Sequence, residues 1–435
     1  MKQQSYAEFS LGLHERLFTH RIPMNGTIEV TRRCPLECAH CYNNLPMGDK
    51  EARRSELTYE EHCRLADEIA EAGCLWLLYT GGEIFARKDF LDIYTYAKQK
   101  GLITSLFTNG TLITPKIADY LAEWRPFAIE ITLYGRTKET YERLTGIPGS
   151  YDRCMRGIRL LMERGLPLAL KTVGVTINKH EIWDMKRFAE EELGLAFKFD
   201  SLINPRIDCS QSPLAVRLTP EDIVELDLQD PVRAGEWKQF YENFNRPILP
   251  PQRSEEVYHC GGGLSSFAID PQGQMSICVL SHMDTYNWRT GSFREGWEQF
   301  LYKVRQKKAT RVTKCEACRI KTMCNMCPAI GELEHGDPED PVDYFCHVTH
   351  LRAHAMDLLV PPHGDCAYCE GGTRYDEVVR SAEALKAGKT AFSEYARSVS
   401  RPLPMVSEEA ATSAVGCSSG GCTSCGMAAA HGRAG

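Results

Sequence analysis

The sequence lacks any long hydrophobic run. Leu75–Tyr79 is typical of its longest apolar stretches, far short of the ~18 residues that cross a bilayer, so no membrane partner is expected. Nor does it have an excess of positive charge. With 51 Lys and Arg against 58 Asp and Glu, the formal net charge is −7 over 435 residues, which leaves no electrostatic footprint for nucleic acid. The opening stretch MKQQSYAEFSLGLHERLFTH has no apolar segment of the kind found in a secretion signal, and a cytoplasmic location is expected. No internal repeat is found. A composition of 43% hydrophobic and 25% charged residues excludes a wholly disordered or collagen-like chain.

What is abundant is cysteine. Nineteen cysteines in a chain without a secretion signal point to metal binding or redox chemistry rather than to a disulfide framework. They are clustered. Cys34, Cys38 and Cys41 form one group. Cys260, Cys278, Cys315, Cys318, Cys324, Cys327 and Cys346 form a second. Cys366 with Cys369, and Cys417, Cys422 and Cys425, come late. Cys63, Cys74, Cys154 and Cys209 stand alone and are expected to be small buried core residues.

Up to about residue 203 the pattern alternates strand and helix. Strands are predicted at 26–31, 75–80, 103–108, 127–134, 168–176 and 197–203. Helices are predicted after Thr58, where Thr58 and Glu61 form a capping box, near 89–100, after Thr114-Pro115, and near 151–164 and 181–193. Such alternation implies a parallel sheet, doubly wound or a partial barrel, and the apolar strands imply that both faces are covered. After Asn204 the periodicity breaks. The cysteine-dense stretch from Cys260 to Cys346 reads as a small domain held by metal. Residues 350–400 read as helix and loop, and the last 25 residues, with 16 Ala, Gly or Ser, as a flexible tail.

The first cysteine group, Cys34-x3-Cys38-x2-Cys41-Tyr42, directly follows the first strand. Two- and three-residue spacings let one loop wrap an iron–sulfur cluster, and three thiolates leave one iron open to a chelating small molecule. A closed zinc site needs four ligands, and the next cysteine, Cys63, falls inside a helix.

On Cys34, Cys38, Cys41 and Tyr42 the sequence resembles the radical S-adenosylmethionine (SAM) superfamily. The resemblance implies a partial (β/α)6 barrel, a 4Fe–4S cluster on the three cysteines, and SAM chelated at the open iron. SAM is then cleaved by one electron to a 5′-deoxyadenosyl radical that takes hydrogen from a substrate. Gly81-Gly82-Glu83 resembles the motif that holds the SAM ammonium, with Ile84 where proline is usual. Thr132 resembles a ribose contact, Arg143 the arginine that pairs with the SAM carboxylate, and Asn178 a further ribose contact. The second group is similar to the SPASM domain of peptide and protein maturases, except that two residues, not three, separate Cys324 from Cys327. That likeness implies two auxiliary 4Fe–4S clusters, one on Cys315, Cys318, Cys324 and Cys346, the other on Cys260, Cys278 and Cys327. The second lacks one cysteine, Ser254 standing where fully ligated relatives have it. A zinc ribbon on Cys315, Cys318, Cys324 and Cys327 is the competing reading.

The expected organisation is thus an N-terminal extension (1–25), a barrel (26–230), an auxiliary-cluster domain (231–350), a helical extension (351–402) and a tail (403–435). The tail cysteines, with Cys366 and Cys369, could bind another metal, form a redox pair or dock on the barrel as a lid; the open auxiliary cluster could take an exogenous or substrate ligand, or a cysteine returning from the tail. The expected activity is that of a peptide maturase forming a C–C or thioether crosslink. Its partners would be a separate leader-binding protein, since only 33 residues precede Cys34, and an electron donor such as flavodoxin or ferredoxin. Tetrapyrrole modification of the haem d1 or alternative haem type is the alternative. Formylglycine formation is less favoured, because Val279 stands where that branch has its aspartate base.

Overall fold

The computed structural model describes residues 19–244 and 255–399. They fall into two compact units: the first holds 19–217 and 256–307, the second 218–244, 255 and 308–399.

In the first unit, β1 (Asn25–Thr31), β2 (Trp76–Gly81), β3 (Ile103–Thr108), β4 (Ala128–Thr132), β5 (Leu168–Val173) and β6 (Phe197–Asp200) lie side by side in that order, all parallel. All six predicted strands are present. Between them run α1 (Tyr59–Glu71), α2 (Phe90–Gln99), α3 (Pro115–Glu123), α4 (Lys138–Thr145), α5 (Ser150–Met162) and α6 (Ile182–Arg187). The predicted capping box at α1 forms, with Thr58 N donating to Glu61 (2.7 Å) and Glu61 N to Thr58 Oγ1 (3.2 Å). α6 continues as a wide turn, Phe188–Glu192.

The sheet does not end at β1. Strand β7 (Ser266–Ile269) runs parallel beside it, pairing Asn25 with Ser266 and Ile28 with Ile269, and β8 (Gln274–Ser276) and β9 (Tyr286–Asn287) follow antiparallel. β1 is therefore an interior strand.

Strand register sorts the side chains onto two faces. Ile28, Leu77, Tyr79, Leu106, Ile129, Ile131 and Leu170 are buried on the helix side, where Tyr79 meets Phe90 of α2 and Phe199 meets Trp183 of α6, each edge-on at 5.5 Å. The other face is covered as well, as expected, with Glu29, Thr31 and Glu130 at most 5% exposed, but it is largely polar. It carries Glu29, Thr31, Glu130, Thr132, Lys171 and Lys198. Glu130 joins three strands by pairing with Lys171 (3.1 Å) and Lys198 (2.7 Å). Two of the isolated cysteines, Cys74 and Cys154, are buried as expected. Cys63 is half-buried and Cys209 exposed, the latter in a turn closed by Cys209 N donating to Arg206 O (2.8 Å).

The second unit contains α7 (Pro220–Gln229), α8 (Pro231–Phe244), α9 (Pro328–His335), α10 (Asp343–Ala355) and α11 (Tyr375–Val399). Its apolar cluster joins Val224, Leu228, Leu351, Ala355, Met356, Tyr368, Val378 and Ala382. Inside it the fully buried Asp227 accepts from Arg352 (2.8 Å) and from Arg233, while Arg352 lies over Trp237 (3.9 Å). Burial alone would raise the Asp227 pKa; the two guanidiniums outweigh it and hold the carboxyl below its ordinary range. Asp227→Asn leaves Arg352 buried without a counter-charge, and a loss of about 3 kcal/mol is expected, read as a lower thermal midpoint. In the parent protein this contribution is present above the ordinary aspartate pKa of about 4. It is lost as pH falls through the lower folded value, which an acid titration of the melting temperature checks.

Candidate active site

The chain leaves β1 at its carboxyl end and enters the cysteine loop at once. Arg33, beside Cys34, is buried with its guanidinium forked on Glu56 (2.8 and 3.0 Å), and Thr31 donates to the same carboxylate (2.5 Å). A bidentate pair of this kind fixes direction as well as distance. The loop then crosses the end of α4. Glu37 N and Ala39 N donate to the carbonyls of Thr145 (2.9 Å) and Leu144 (3.0 Å), which a helix terminus leaves without intrahelical donors. Beyond Cys41, Tyr42 and Asn43 both donate to the buried Glu29 (3.0 and 2.5 Å). Arg206 clamps the exit, donating to the carbonyl of Cys41 (3.2 Å) and to Asn44 (2.8 Å to Oδ1 and 2.8 Å to the carbonyl).

The three thiols lie close enough to act on one another electrostatically. Burial pushes Cys34 up to about 12, with Glu83 and Cys41 adding to it. Cys38 rises for the same first reason, then through Cys41 and Cys34, and Cys41 rises mainly by burial. Thiolates here need a positive partner, which the irons of a cluster supply, so the donor set fits a cysteine-held 4Fe–4S centre with one position left over. Asn109 donates its carboxamide to Cys34 Sγ (3.4 Å). Between the thiols His40 is neutral, burial drawing its pKa down to about 4.

Gly81-Gly82-Glu83 lies against the base of this loop. Gly81 has φ +130°, and a β-carbon on it would stand 2.1 Å from the Thr31 carbonyl oxygen; on Gly82 it would stand 2.5 Å from that of Arg32. Only glycine allows this backbone-on-backbone approach, which is closed by Gly82 N to Thr31 O (2.7 Å) and Glu83 N to Arg33 O (3.0 Å). Glu83 is buried. Its carboxylate accepts from Thr108 Oγ1 (2.7 and 2.9 Å), Asn109 N (2.8 Å) and Phe85 N (3.2 Å). Burial raises its pKa to about 7 against these bonds. The side chain thus ties β2 to β3, and Asn109 reaches Cys34 from that tie.

Thr132 closes β4 on the polar face. Arg143 is exposed in the last turn of α4, the turn on which the cysteine loop rests. Asn178 is fully buried, and its carboxamide is engaged within the chain, accepting from Val175 N (2.8 Å) and donating to the carbonyls of Val173 (3.0 Å) and Tyr134 (3.1 Å). What the structure shows Asn178 doing is joining the ends of β4 and β5.

Of the other predicted ligands, Cys260 and Cys278 belong to the first unit and Cys315, Cys318, Cys324, Cys327 and Cys346 to the second. Gly262 lies against the carbonyl of Ile277, where a β-carbon would come within 2.8 Å, so the Cys260 loop touches the residue before Cys278. In the second unit burial pushes Cys315 up to about 11 and Cys346 up to about 12. Cys324 acts on both, Cys318 on Cys315, and Cys315 on Cys346, so these thiols lie within electrostatic range of one another. Ser254, Cys417, Cys422 and Cys425 lie outside the described residues. Glu29, Asn43 and Arg206 were not singled out in the sequence; Asn109 belongs to the Thr108-Asn109-Gly110 that ends β3, which the sequence marks.

This arrangement is that of a radical SAM domain. Residues 28–189, from β1 through α6, match the family model of the radical SAM superfamily, so this part of the chain is a radical SAM domain. The AdoMet-dependent heme synthase of Methanosarcina barkeri is 26% identical over 333 residues, covering 71% of this chain and 92% of that one. A PqqA peptide cyclase of Granulibacter bethesdensis is 32% identical over 168 residues, 39% of this chain and 43% of that one. Among solved structures, Streptococcus suis SuiB bound to its precursor peptide SuiA superposes with a TM-score of 0.56 at 16% identity, over 78% of this chain and 80% of that one. That likeness shows the fold, a TIM-like α/β barrel.

Arg206→Met should keep the fold but free the loop after Cys41. The expected result is an unchanged far-ultraviolet circular dichroism spectrum with severalfold faster loss of iron to a chelator.

Proposed function

We propose that this chain modifies a ribosomally made peptide, forming a C–C or thioether crosslink, with Cys34, Cys38 and Cys41 holding the 4Fe–4S cluster on which SAM binds. The observation that carries the chemistry is the three-thiol loop, anchored on every side and short of a fourth cysteine. When bound, the cluster and SAM supply a 5′-deoxyadenosyl radical able to remove an unactivated hydrogen. The chain's own residues position and shield. Gly81 and Gly82 bring β2 down onto the loop so that backbone polar groups meet the SAM ammonium, with Glu83 bracing that edge. Arg143 is assigned the SAM carboxylate, Thr132 the ribose, Asn178 the support of the ribose wall, and Tyr42 the loop's lower edge. The polar inner face, with Lys171 and Lys198 around Glu130, receives the substrate.

The peptide assignment is supported by the likeness to a peptide cyclase and by a fold shared with an enzyme seen with its precursor peptide. It is also supported by the second unit, whose Cys315, Cys318, Cys324 and Cys346 suit an auxiliary 4Fe–4S cluster of the SPASM kind. Cys260 and Cys278 are assigned as further cluster ligands in the first unit. A leader-binding protein and a flavodoxin- or ferredoxin-type donor are the partners such chemistry asks for. Tetrapyrrole modification is the second reading, favoured by one observation: the heme synthase likeness spans 92% of that enzyme, whereas the cyclase match spans 43% of its counterpart.

Anaerobically reconstituted protein with dithionite is expected to convert SAM to 5′-deoxyadenosine. Replacing Cys34, Cys38 and Cys41 by alanine should abolish this and remove about four irons while the second unit keeps its iron; persistent 5′-deoxyadenosine would overturn the reading of the loop. For the substrate, deuterium should pass into 5′-deoxyadenosine from a labelled precursor peptide encoded nearby. Transfer from a labelled iron coproporphyrin instead moves the assignment to the second reading.

A further inference from the structure

Cys366 and Cys369 are not needed by either cluster pattern, yet they are among the most enclosed cysteines of the second unit. They lie on the loop between α10 and α11. His363 precedes them on that loop, and His350 faces them from α10. All four side chains are buried, with 2% (His350), 7% (His363), 9% (Cys366) and 3% (Cys369) exposure. Among the described residues, these four form a group whose possible ligand atoms all lie within 4.8 Å of one another.

Three of the ligand–ligand spacings match the edges of a tetrahedral metal site. His350 Nε2 is 3.4 Å from Cys366 Sγ and 3.8 Å from Cys369 Sγ, and His363 Nε2 is 3.8 Å from Cys369 Sγ. Zinc bonds of about 2.0 Å to nitrogen and 2.3 Å to sulfur give ligand–ligand edges of about 3.3–3.8 Å in a tetrahedron. A cluster of the two-histidine, two-cysteine kind is excluded by the same numbers. It puts the histidines and the cysteines on different irons, whereas here nitrogen and sulfur share one edge.

The imidazoles are set for the task by what their other nitrogens do. His350 Nδ1 lies 2.7 Å from the carbonyl oxygen of Cys346, and His363 Nδ1 2.8 Å from that of Pro361. His363 holds both ring nitrogens near Cys369 Sγ, Nδ1 at 3.4 Å and Nε2 at 3.8 Å. A carbonyl only accepts, so His350 Nδ1 carries the proton and its Nε2 keeps a lone pair. That is the tautomer of a metal-bound histidine, fixed by its outer hydrogen bond. The loop has the tight turn such a site uses. Cys369 N donates to Cys366 O (3.3 Å), Gly372 N to Cys369 O (2.8 Å) and Arg374 N to Ala367 O (2.7 Å). A β-carbon on Gly372 would stand 2.5 Å from the carbonyl oxygens of Cys366 and Ala367. Tyr368 roofs the site, stacked on His350 at 5.3 Å and anchored to Asp343 (2.5 Å).

We propose that His350, His363, Cys366 and Cys369 bind one zinc ion, a structural site beside the auxiliary cluster. That cluster's assigned ligand Cys318 interacts with His363. Two neutral imidazoles and two thiolates make a closed, tetrahedral, charge-balanced shell around Zn2+ with no position left for substrate. Its neighbours, Leu351, Ala355, Met356, Val378 and Ala382, are the apolar core of the second unit. The ion therefore pins the loop carrying the two cysteines to α10, and Cys346, whose carbonyl orients His350, sits one turn away on that same helix.

The test is metal analysis of the full-length protein purified anaerobically from zinc- and iron-supplemented medium. About one zinc per chain is expected beside the iron, with zinc-edge X-ray absorption showing two nitrogens at about 2.0 Å and two sulfurs at about 2.3 Å. Cys366→Ser with Cys369→Ser should lose that zinc while the SAM-cleaving iron remains. If the double variant is insoluble, the absorption spectrum of the parent protein decides. Absence of zinc would overturn the proposal, as would a zinc shell of three or four sulfurs, which would move the ion to the Cys315–Cys346 set. So would iron in these four ligands.

Discussion

The active-site end of the first unit depends on one steric condition: the end of β2 lies directly on the backbone that joins β1 to Cys34. Two consecutive residues without β-carbons permit the contact, and two backbone hydrogen bonds close it. From there the order propagates outward. Glu83, held by its backbone to Arg33, presents its carboxylate to the end of β3. That end presents Asn109 to Cys34, and the loop carrying Cys38 rests on the carbonyls of α4. A reactive radical needs its source and target held to a fraction of an ångström, and this chain of short contacts supplies that precision without a large apolar plug.

The polar face of the sheet completes the picture. One carboxylate, Glu130, is shared by two ammonium groups, and burial draws Lys171 down to about 8 despite Glu130.

The barrel was legible because its strands and helices obey local rules: strand–helix alternation, a capping box at Thr58, proline after Thr114. The cysteine loop was legible because its spacing is chemically restrictive. Strand β7 was not, because four residues inside a cysteine-rich stretch carry no periodicity, and pairing with β1 is decided by tertiary contact. The polar inner face was hidden because the strands' apolar residues dominate a one-dimensional reading. Glu29, Asn43 and Arg206 were invisible for a different reason: a polar residue that anchors a loop has no spacing signature. His350 and His363 looked like ordinary histidines until the fold set them opposite Cys366 and Cys369.

The place of β1 between β2 and β7 bears on how the molecule is made. Until residues 266–269 have been synthesised, the backbone donors and acceptors of 25–28 on that side have no partner, and the growing chain carries an open parallel edge next to the cysteine loop. Open edges recruit other strands, and pairings between distant segments form slowly. The barrel strands are thus complete in sequence by residue 200 but sealed only after the intervening residues 218–255 have emerged. During that interval the nascent chain depends on the cell, rather than on its own fold, for protection of its edge.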